Sequence, residues 1–411
     1  MDFSLRADQK MLRDTARQWL GRVHSVEQTR RWREDPVGFD AQRWQEIGSM
    51  GWVGLNVPER LGGIDGSTVD ALILFEELGR VLFPSPFLSQ WLVVTVLGQF
   101  CPNLENTPLW ERLRDGKDIV AWADWEGGDF WAGESGAYGC TVRSQGAEWV
   151  LNGEKHWVLD GAVARQLLVT ARMEDGRPCL ALVPAQTRGV EVVPLRDAAR
   201  RRVAAVRLKD VVLAPDALLV TGSGGDSTAR DSEAGGVPRS WRQLWGAFVY
   251  QGALAVGAEL LGAASYVLEA AVEHAKHRHQ FGRPIGSFQA IQHKCADMWM
   301  HLEVARNLLY YAAVQWEDGH PDAPLAVAQA KLLVTEAAQR AVREGHQILG
   351  GLGYTEEHWM PLYFRFVKEG RALFGMPDEW EQRAAECLLD GPRLFTGFGS
   401  VPFLPTDSRA V

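Results

Sequence analysis

The hydrophobic period of this chain changes twice, and that order excludes most folds open to a chain of its length. Residues 1–118 read as a helical domain. The runs 5–20 and 69–82 carry apolar side chains at helical spacing with charges between them, and Pro84-Ser85-Pro86 stops the second. Between 119 and 221 the pattern shortens to β-rich runs at 148–151, 155–158, 167–171, 180–183, 190–193 and 203–208. Asn152 and Gly153 both tolerate positive φ, so they predict a hairpin turn between the first two runs. This middle region is expected to be an antiparallel β domain, a sandwich or barrel.

Residues 222–240 are rich in Gly, Ser and Asp and read as a linker or surface loop. From 241 to 390 the chain is helical again, as a C-terminal bundle. Ile291, Cys295, Met298, Leu302, Ala305, Leu309, Ala312 and Trp316 alternate spacings of four and three, which predicts a heptad seam. A further helix over 324–349 is expected to stop at Gly350-Gly351 in an αL cap. The tail, 391–411, is Gly- and Pro-rich and expected to be irregular. The fold class is therefore α+β, with helices, strands and helices in chain order. No GxGxxG or GxxxxGK[ST] is present to support a parallel nucleotide-binding sheet.

A chain of 411 residues is too long for one ordinary core, and 46% hydrophobic content argues against extensive disorder. Lys+Arg 43 against Asp+Glu 52 gives a net charge of −9, which repels phosphate backbones, so nucleic acid is not an expected partner. No apolar run approaches the length of a bilayer span, and the N-terminus lacks the plan of a signal peptide, so a cytoplasmic chain without a membrane partner is expected. Cys101, Cys140, Cys179, Cys295 and Cys387 are scattered without a CxxC pair, as a reducing compartment allows, and they form no zinc template. The 17 Trp fit a heavy aromatic core better than a pocket lining.

Three segments together carry a resemblance to a known family. Arg278-His279-Gln280-Phe281-Gly282-Arg283-Pro284-Ile285-Gly286-Ser287-Phe288-Gln289-Ala290-Ile291-Gln292-His293 is similar to the R-x-Q-F-G-x-P-I-x-x-F-Q-A-I-Q-H signature of the acyl-CoA dehydrogenases. Gln347-Ile348-Leu349-Gly350-Gly351-Leu352-Gly353-Tyr354 resembles the family's Q-I-x-G-G-x-G-Y, and Asn152-Gly153-Glu154-Lys155-His156-Trp157 its N-G-x-K-x-W hairpin. Phe75-Glu76-Glu77-Leu78-Gly79-Arg80 fits the family's N-terminal helical domain.

The resemblance implies FAD as cofactor, an acyl-CoA substrate and an electron-transfer flavoprotein or similar acceptor. It implies that Arg278, Gln280, Phe281, Gln347 and Gly351 reach across a dimer interface to a neighbour's FAD. Ile285, Phe288, Gln289, Gly350 and Trp157 complete the expected cofactor-binding set. The chemistry suits these types: a pyrophosphate needs cationic charge and planar donors, and glycines admit close backbone approach.

The resemblance breaks at the catalytic base, which must be a carboxylate positioned to take an α-proton. Without gaps, one family position for that base falls on Phe374 and the other on Gly252, so no catalytic residue is expected here. The strand motif T-E-P-x-x-G-S-D is eroded to Asp124-Trp125-Glu126-Gly127-Gly128-Asp129. Leu159 replaces the Thr or Ser that faces the flavin, and Asp160 stands where Asn or Ser is usual, a charge expected to disfavour a reduced flavin anion.

Among other polar clusters, His274, His277 and His279 have poor spacing for zinc and read as a basic helix end. For Arg200-Arg201-Arg202, CoA phosphate contact and plain exposure between strands both stay open, exposure being the commoner outcome. Glu356, Glu357, Glu369 and Glu259 are substitute-base candidates displaced from the expected position.

The reading that joins these observations is a subunit of a heteromeric, heterotetrameric FAD-dependent acyl-CoA dehydrogenase of the bacterial steroid side-chain type. It would desaturate a bulky acyl-CoA at Cα–Cβ beside a second dehydrogenase-like subunit. Two alternatives are a self-sufficient flavoenzyme with a relocated base or altered chemistry, and a flavin-free scaffold partner of a dehydrogenase.

Overall fold

The computed structural model describes residues 5–101, 104, 107–199, 201–221 and 239–389. In chain order the helices are α1 (Ala7–Val23), α2 (Val26–Glu34), α3 (Ala41–Ser49), α4 (Thr68–Arg80), α5 (Phe87–Phe100) and α6 (Pro108–Arg114). Strands β1 (Val120–Ala123), β2 (Thr141–Gln145), β3 (Glu148–Leu159), β4 (Gln166–Met173), β5 (Pro178–Pro184), β6 (Val190–Leu195), β7 (Val203–Leu213) and β8 (Leu218–Thr221) follow. Then come α7 (Arg239–His277), the short strands β9 (His279–Gln280) and β10 (Arg283–Pro284), α8 (Gln289–Glu317), α9 (Ala323–Leu349), α10 (Met360–Gly370) and α11 (Pro377–Leu389). The order helices, strands, helices is the expected one. The expected linker at 222–240 and the tail at 391–411 lie outside the described residues, except that 239 and 240 open α7.

Chain contacts divide the molecule into two compact units. One comprises residues 1–31, 67–83 and 252–411; the other comprises 32–66 and 84–251.

In the first unit the close packing is set by glycines. A Cβ on Gly79 of α4 would lie 2.1 Å from the Glu259 carbonyl oxygen of α7, and one on Gly262 of α7 would lie 1.8 Å from that of Glu76. Only glycine lets the two backbones approach that closely. Around this crossing, Glu76 accepts from Arg306 (2.9 and 3.0 Å) and Tyr310 (3.0 Å), while buried Glu77 takes a bidentate pair from Arg17 (2.6 and 2.8 Å). The motif at 75–80 is therefore a structural junction. The heptad seam of α8 forms as expected: Met298, Leu302, Ala305, Leu309, Ala312 and Trp316 are buried, and Ile291 and Cys295 are half-buried.

The second unit holds an eight-stranded sheet in the order β6-β7-β3-β2-β4-β5-β8, with β1 paired to β4. Its buried face includes Val142, Leu151, Leu167, Val169, Val183 and Val206. Antiparallel pairing dominates, but β1 and β2 both run parallel to β4. They cover successive stretches of the same β4 edge, Gln166–Val169 and then Arg172–Met173, so the chain leaves and rejoins one edge in a single direction.

The hairpin expected at Asn152-Gly153 is not there. β3 runs unbroken through both residues, and the turn falls at Gly146-Ala147, where Gly146 (φ 66°) opens a two-residue loop joining β2 to β3. Asn152-Gly153 is instead a bulge where the pairing with β7 shifts register. Gly153 (φ 146°) has no room for a Cβ, which would lie 2.2 Å from the Cys140 sulfur, and the Asn152 side chain accepts from the Asp210 amide (2.8 Å). The same residue types that suit a turn suit a bulge, because both need unusual φ.

The apolar-run expectation also needs correction. Among the described residues one helix, Trp241–His277, is long and apolar enough by length and composition to cross a membrane, but 67% of its most apolar window is buried inside protein. Cys101, Cys140 and Cys179 are buried, with burial pushing each thiol up to about 12, and all five cysteines are free.

His24 gives a pH test of the first unit. Its ring shares a 2.8 Å hydrogen bond with Thr29, lies edge-on to Phe83, and burial holds its pKa down from 6.5 to about 4. Between those values the unfolded chain binds a proton that the folded chain does not, so stability falls as pH drops from about 6.5 to about 4. His24→Gln should flatten this part of the melting-temperature profile. An unchanged slope in the variant would assign the effect elsewhere.

Candidate functional site

The two positions onto which the resemblance puts its base, Gly252 and Phe374, meet in space. Gly252 lies in α7, and a Cβ built on it would stand 2.4 Å from Cε1 and 2.5 Å from Cδ1 of Phe374. The phenyl ring therefore rests on the bare Cα of Gly252. Gap-free counting along the sequence aligns both residues with one function, and the structure brings the two into contact. Neither can take a proton.

Phe374 is held there by the loop that follows α10. Buried Lys331 of α9 donates to the carbonyl oxygens of Gly370 (3.0 Å) and Leu373 (2.9 Å), placing its charge at the negative end of α10. The Trp380 indole donates to the Phe374 carbonyl (2.9 Å). Phe374 itself takes φ 58°, a left-handed conformation that costs a non-glycine residue roughly 1–2 kcal/mol. Gly375 follows at φ 102°, where a Cβ would crowd the same indole at 2.9 Å. The anchoring bonds hold the backbone in this conformation and the ring on Gly252.

The four displaced carboxylates fall elsewhere. Glu356 pairs with Arg365 (2.5 Å), and the backbone carbonyls of Glu356, Glu357 and His358 accept from Arg30. Glu259 and Glu369 are half-buried, the first at the α4–α7 crossing and the second in the last turn of α10.

The expected cofactor contacts of the first unit lie on its surface. Arg278 ends α7, and its carbonyl accepts from Ile285 N (2.8 Å), closing the β9–β10 hairpin. The turn is Phe281-Gly282 with φ 53° and 80°, which lifts the Phe281 ring into solvent at 92% exposure. Behind it, Phe288 packs edge-on to Phe281 (6.1 Å) and beneath the Arg283 guanidinium (4.1 Å). Ile285 is half-buried, and Gln289 opens α8 exposed.

The side chains of Arg278, Gln280, Gln289 and Gln347 are exposed and make no hydrogen bond or ion pair among the described residues. His274, one turn before Arg278, has its pKa lowered by burial and then by that guanidinium. His358 has its pKa lowered by burial and then by His274, Arg30 and His346, so the ends of α7 and α9 share one electrostatic neighbourhood. His277 pairs with Glu273 (2.6 Å) at the solvated helix end.

At the end of α9, Gly350 takes φ 62° and ψ −141°. That lies outside the αL region expected of a cap, in a conformation open essentially to glycine. Gly351 differs: its φ is ordinary, and a Cβ there would meet nothing within 4 Å. Nothing among the described residues requires glycine at 351, whereas the close approach of another molecule would. A pyrophosphate-bearing group fits this set: one unpaired guanidinium, three unpaired amides and an unobstructed backbone.

Trp157 lies in the second unit, on β3, with φ 53° and 41% exposure. The remaining family positions there are satisfied internally. Asp124 accepts from Tyr138 (2.7 Å), Thr170 (2.9 Å) and Trp245 (3.2 Å). Glu126 accepts from buried Lys155 (2.7 Å) and from the Gly139 and Cys140 amides. Burial pushes the Glu126 carboxyl up, but Lys155 and the two amides outweigh it and hold it below the usual range.

Asp160 corrects an expectation. It is 1% exposed, at φ 57°, and sits between Arg202 (2.7 Å) and Ser89 (2.5 Å), so its charge is neutralised within the protein. Arg202 also donates to the Gly38 and Ser85 carbonyls (2.9 and 2.6 Å), so it is not one of an exposed run; Arg200 lies outside the described residues. Sequence reasoning missed this pair because nothing local links positions 42 residues apart.

Known proteins place this architecture. Residues 6–102 match the model of the acyl-CoA dehydrogenase N-terminal domain, and residues 241–379 that of its C-terminal domain. The probable acyl-CoA dehydrogenase YngJ of Bacillus subtilis is 30% identical over 90% of this chain and 94% of its own length. The acyl-CoA dehydrogenase IpdE2 of Mycobacterium tuberculosis is 28% identical, covering 94% of this chain and 98% of its own. Among solved structures, a variant of the steroid ACAD Tcur3481-Tcur3483 superposes with a TM-score of 0.78 at 27% identity, covering 93% of this chain and 98% of that one. The chain belongs to the acyl-CoA dehydrogenase family of FAD-dependent oxidoreductases.

Proposed function

We propose that this chain is the non-catalytic subunit of a heteromeric FAD-dependent acyl-CoA dehydrogenase that oxidises a bulky acyl-CoA at Cα–Cβ. The observation that carries the reading is the Phe374 ring seated on Gly252, which fills both family base positions with groups that accept no proton. Likeness to the steroid ACAD Tcur3481-Tcur3483 supports a two-chain assembly and a bulky acyl group, and likeness to IpdE2 supports acyl-CoA dehydrogenase chemistry.

When bound, FAD would supply the hydride acceptor for the Cβ hydrogen, and the α-proton would go to a carboxylate that this chain does not provide. This chain's share is binding. Arg278 would neutralise the pyrophosphate of a flavin carried mainly by the partner, and Gln280, Gln289 and Gln347 would supply amides to it. Phe281, Ile285 and Phe288 form the apolar side of the hairpin that presents them, and Gly350-Gly351 admit the ADP half. Trp157 on β3 would be a further flavin contact. An electron-transfer flavoprotein or similar acceptor would reoxidise the flavin. The free thiols of all five cysteines suit a reducing, cytoplasmic setting.

The chain purified alone should hold little FAD, and the complex with its partner should hold it firmly. A yellow homo-oligomer with full FAD occupancy and turnover would overturn the subunit reading. In the complex, Arg278→Ala should lower FAD affinity roughly ten- to hundredfold, the loss of one charge-assisted contact at about 1.5–3 kcal/mol, read as absorbance after gel filtration. Glu369→Gln should leave turnover intact; its abolition with FAD still bound would make Glu369 the base.

The plug is testable separately. Gly252→Ala drives a methyl group into the Phe374 ring and should cost on the order of 1–3 kcal/mol of stability. Phe374→Ala in the same background should recover much of that. Strict additivity of the two changes in urea denaturation would show that the residues do not touch.

A further inference from the structure

A second concave site lies in the C-terminal helices, built from side chains that the proposed flavin contacts do not use. Along α9, Thr335, Gln339, Arg340 and Arg343 fall on one face at helical spacing. Phe364 and Lys368 on α10, with Arg371 capping its C-terminus, form a matching stripe at spacings of four and three. Between them, closed at one end by Pro377 and Glu381 of α11, is a cavity of about 620 Å³, within the size range of small-molecule sites. Facing stripes of packed helices are ordinarily apolar; these are polar and cationic.

Three observations point to an anionic occupant. Thr335 is 3% exposed, yet its hydroxyl has no hydrogen-bond partner among the described residues, not even the carbonyl one turn back that helical threonines commonly use. The Arg371 Nε is buried and equally without a partner. Among the described residues Arg340, Lys368 and Arg371 make no ion pair, and Arg343 has only a 3.4 Å contact with Glu344. Glu336 and Glu381 also line the cavity but pair with none of these cations, so four positive charges face two negative ones. A concave surface with unpaired cations focuses positive potential. Lys368 approaches the Phe364 ring at 5.4 Å, which sets an ammonium beside the cavity wall.

We propose that this cleft binds the phosphoryl group of a small phosphorylated metabolite. Arg371 and Arg340 supply guanidinium donors, Lys368 and Arg343 supply charge, and the Thr335 hydroxyl donates from the floor. Fork-shaped guanidinium donors beside a hydroxyl match a tetrahedral oxyanion of high charge better than a planar monocarboxylate. The inference is independent of the subunit reading, since none of these residues belongs to the expected flavin set.

Calorimetric titration of the full-length protein with inorganic phosphate and with pyrophosphate tests the site, with citrate as the carboxylate control. Pyrophosphate should bind more tightly than inorganic phosphate, and the double variant Arg340→Ala/Arg371→Ala should weaken it at least about tenfold. Lys368→Gln, at an exposed position, gives a second measurement that does not risk the fold and should weaken binding in the same direction. Arg278→Ala should leave this binding unchanged, which separates it from the proposed flavin contact. A preference for inorganic phosphate over pyrophosphate would identify a free-anion site and overturn the metabolite assignment. Absence of binding in the folded protein, equal binding of citrate, or unchanged affinity in the double variant and in Lys368→Gln would overturn the site itself.

Discussion

The crossing of α4 and α7 at Gly79 and Gly262 is the contact on which the first unit depends. Two helix backbones meet there with no side chain between them, so a methyl group at either glycine has nowhere to go. That closeness sets Glu76 and Glu77 against the unit's interior, where unpaired carboxylates would be costly. Arg306, Tyr310 and Arg17 answer them with short, charge-assisted bonds. Burial and the Glu76 carboxylate together hold the Tyr310 hydroxyl well above its ordinary pKa, so it remains a donor. With α7 fixed at Gly262, a stiff rod carries that constraint ten residues, about 15 Å, back to Gly252.

The opposing surface is fixed by an unrelated set of bonds. Lys331, buried in α9, binds the end of α10, and Trp380 binds the next carbonyl, so the loop at 370–375 is specified by two side chains from two helices. A buried lysine is expensive unless its ammonium is satisfied; two carbonyl oxygens at a helix C-terminus are suitable acceptors. The phenyl ring then meets a glycine, and the pair is mutually dependent. A larger residue at 252 would evict the ring, and a smaller one at 374 would leave a void beside Gly252. The contact between Phe374 and Gly252 is therefore built into the packing of this unit.

Features governed by local periodicity were legible in the sequence. The α8 seam, the strand runs near 167–171, 180–183, 190–193 and 203–208, and the order of elements all rest on short-range patterns that burial enforces. Asn152-Gly153 misled because residue type reports unusual φ and leaves its use open; only the partner strand, distant in sequence, decides between turn and bulge. Asp160 misled for a related reason. A carboxylate beside an expected flavin position reads as acting on the flavin until its counter-ion is known, and Arg202 reaches it only through the fold. The cleft between α9 and α10 was invisible because its stripes belong to separate helices, each an ordinary polar face when read alone.

The polar groups at the expected site positions sort into two groups, and the sorting bears on direction. Those in the eroded motifs of the second unit, Asp124, Glu126 and Asp160, are consumed by Tyr138, Trp245, Lys155 and Arg202. They form closed networks that a ligand could enter only by breaking satisfied bonds, at the cost of leaving a buried group unpaired. Arg278, Gln280, Gln289 and Gln347 are the reverse case: exposed, unpaired among the described residues, and beside a glycine that the chain's own packing does not require. Polar groups that are free when the chain is alone lose no internal bond when they meet a ligand, so binding through them is favoured over binding through the closed set.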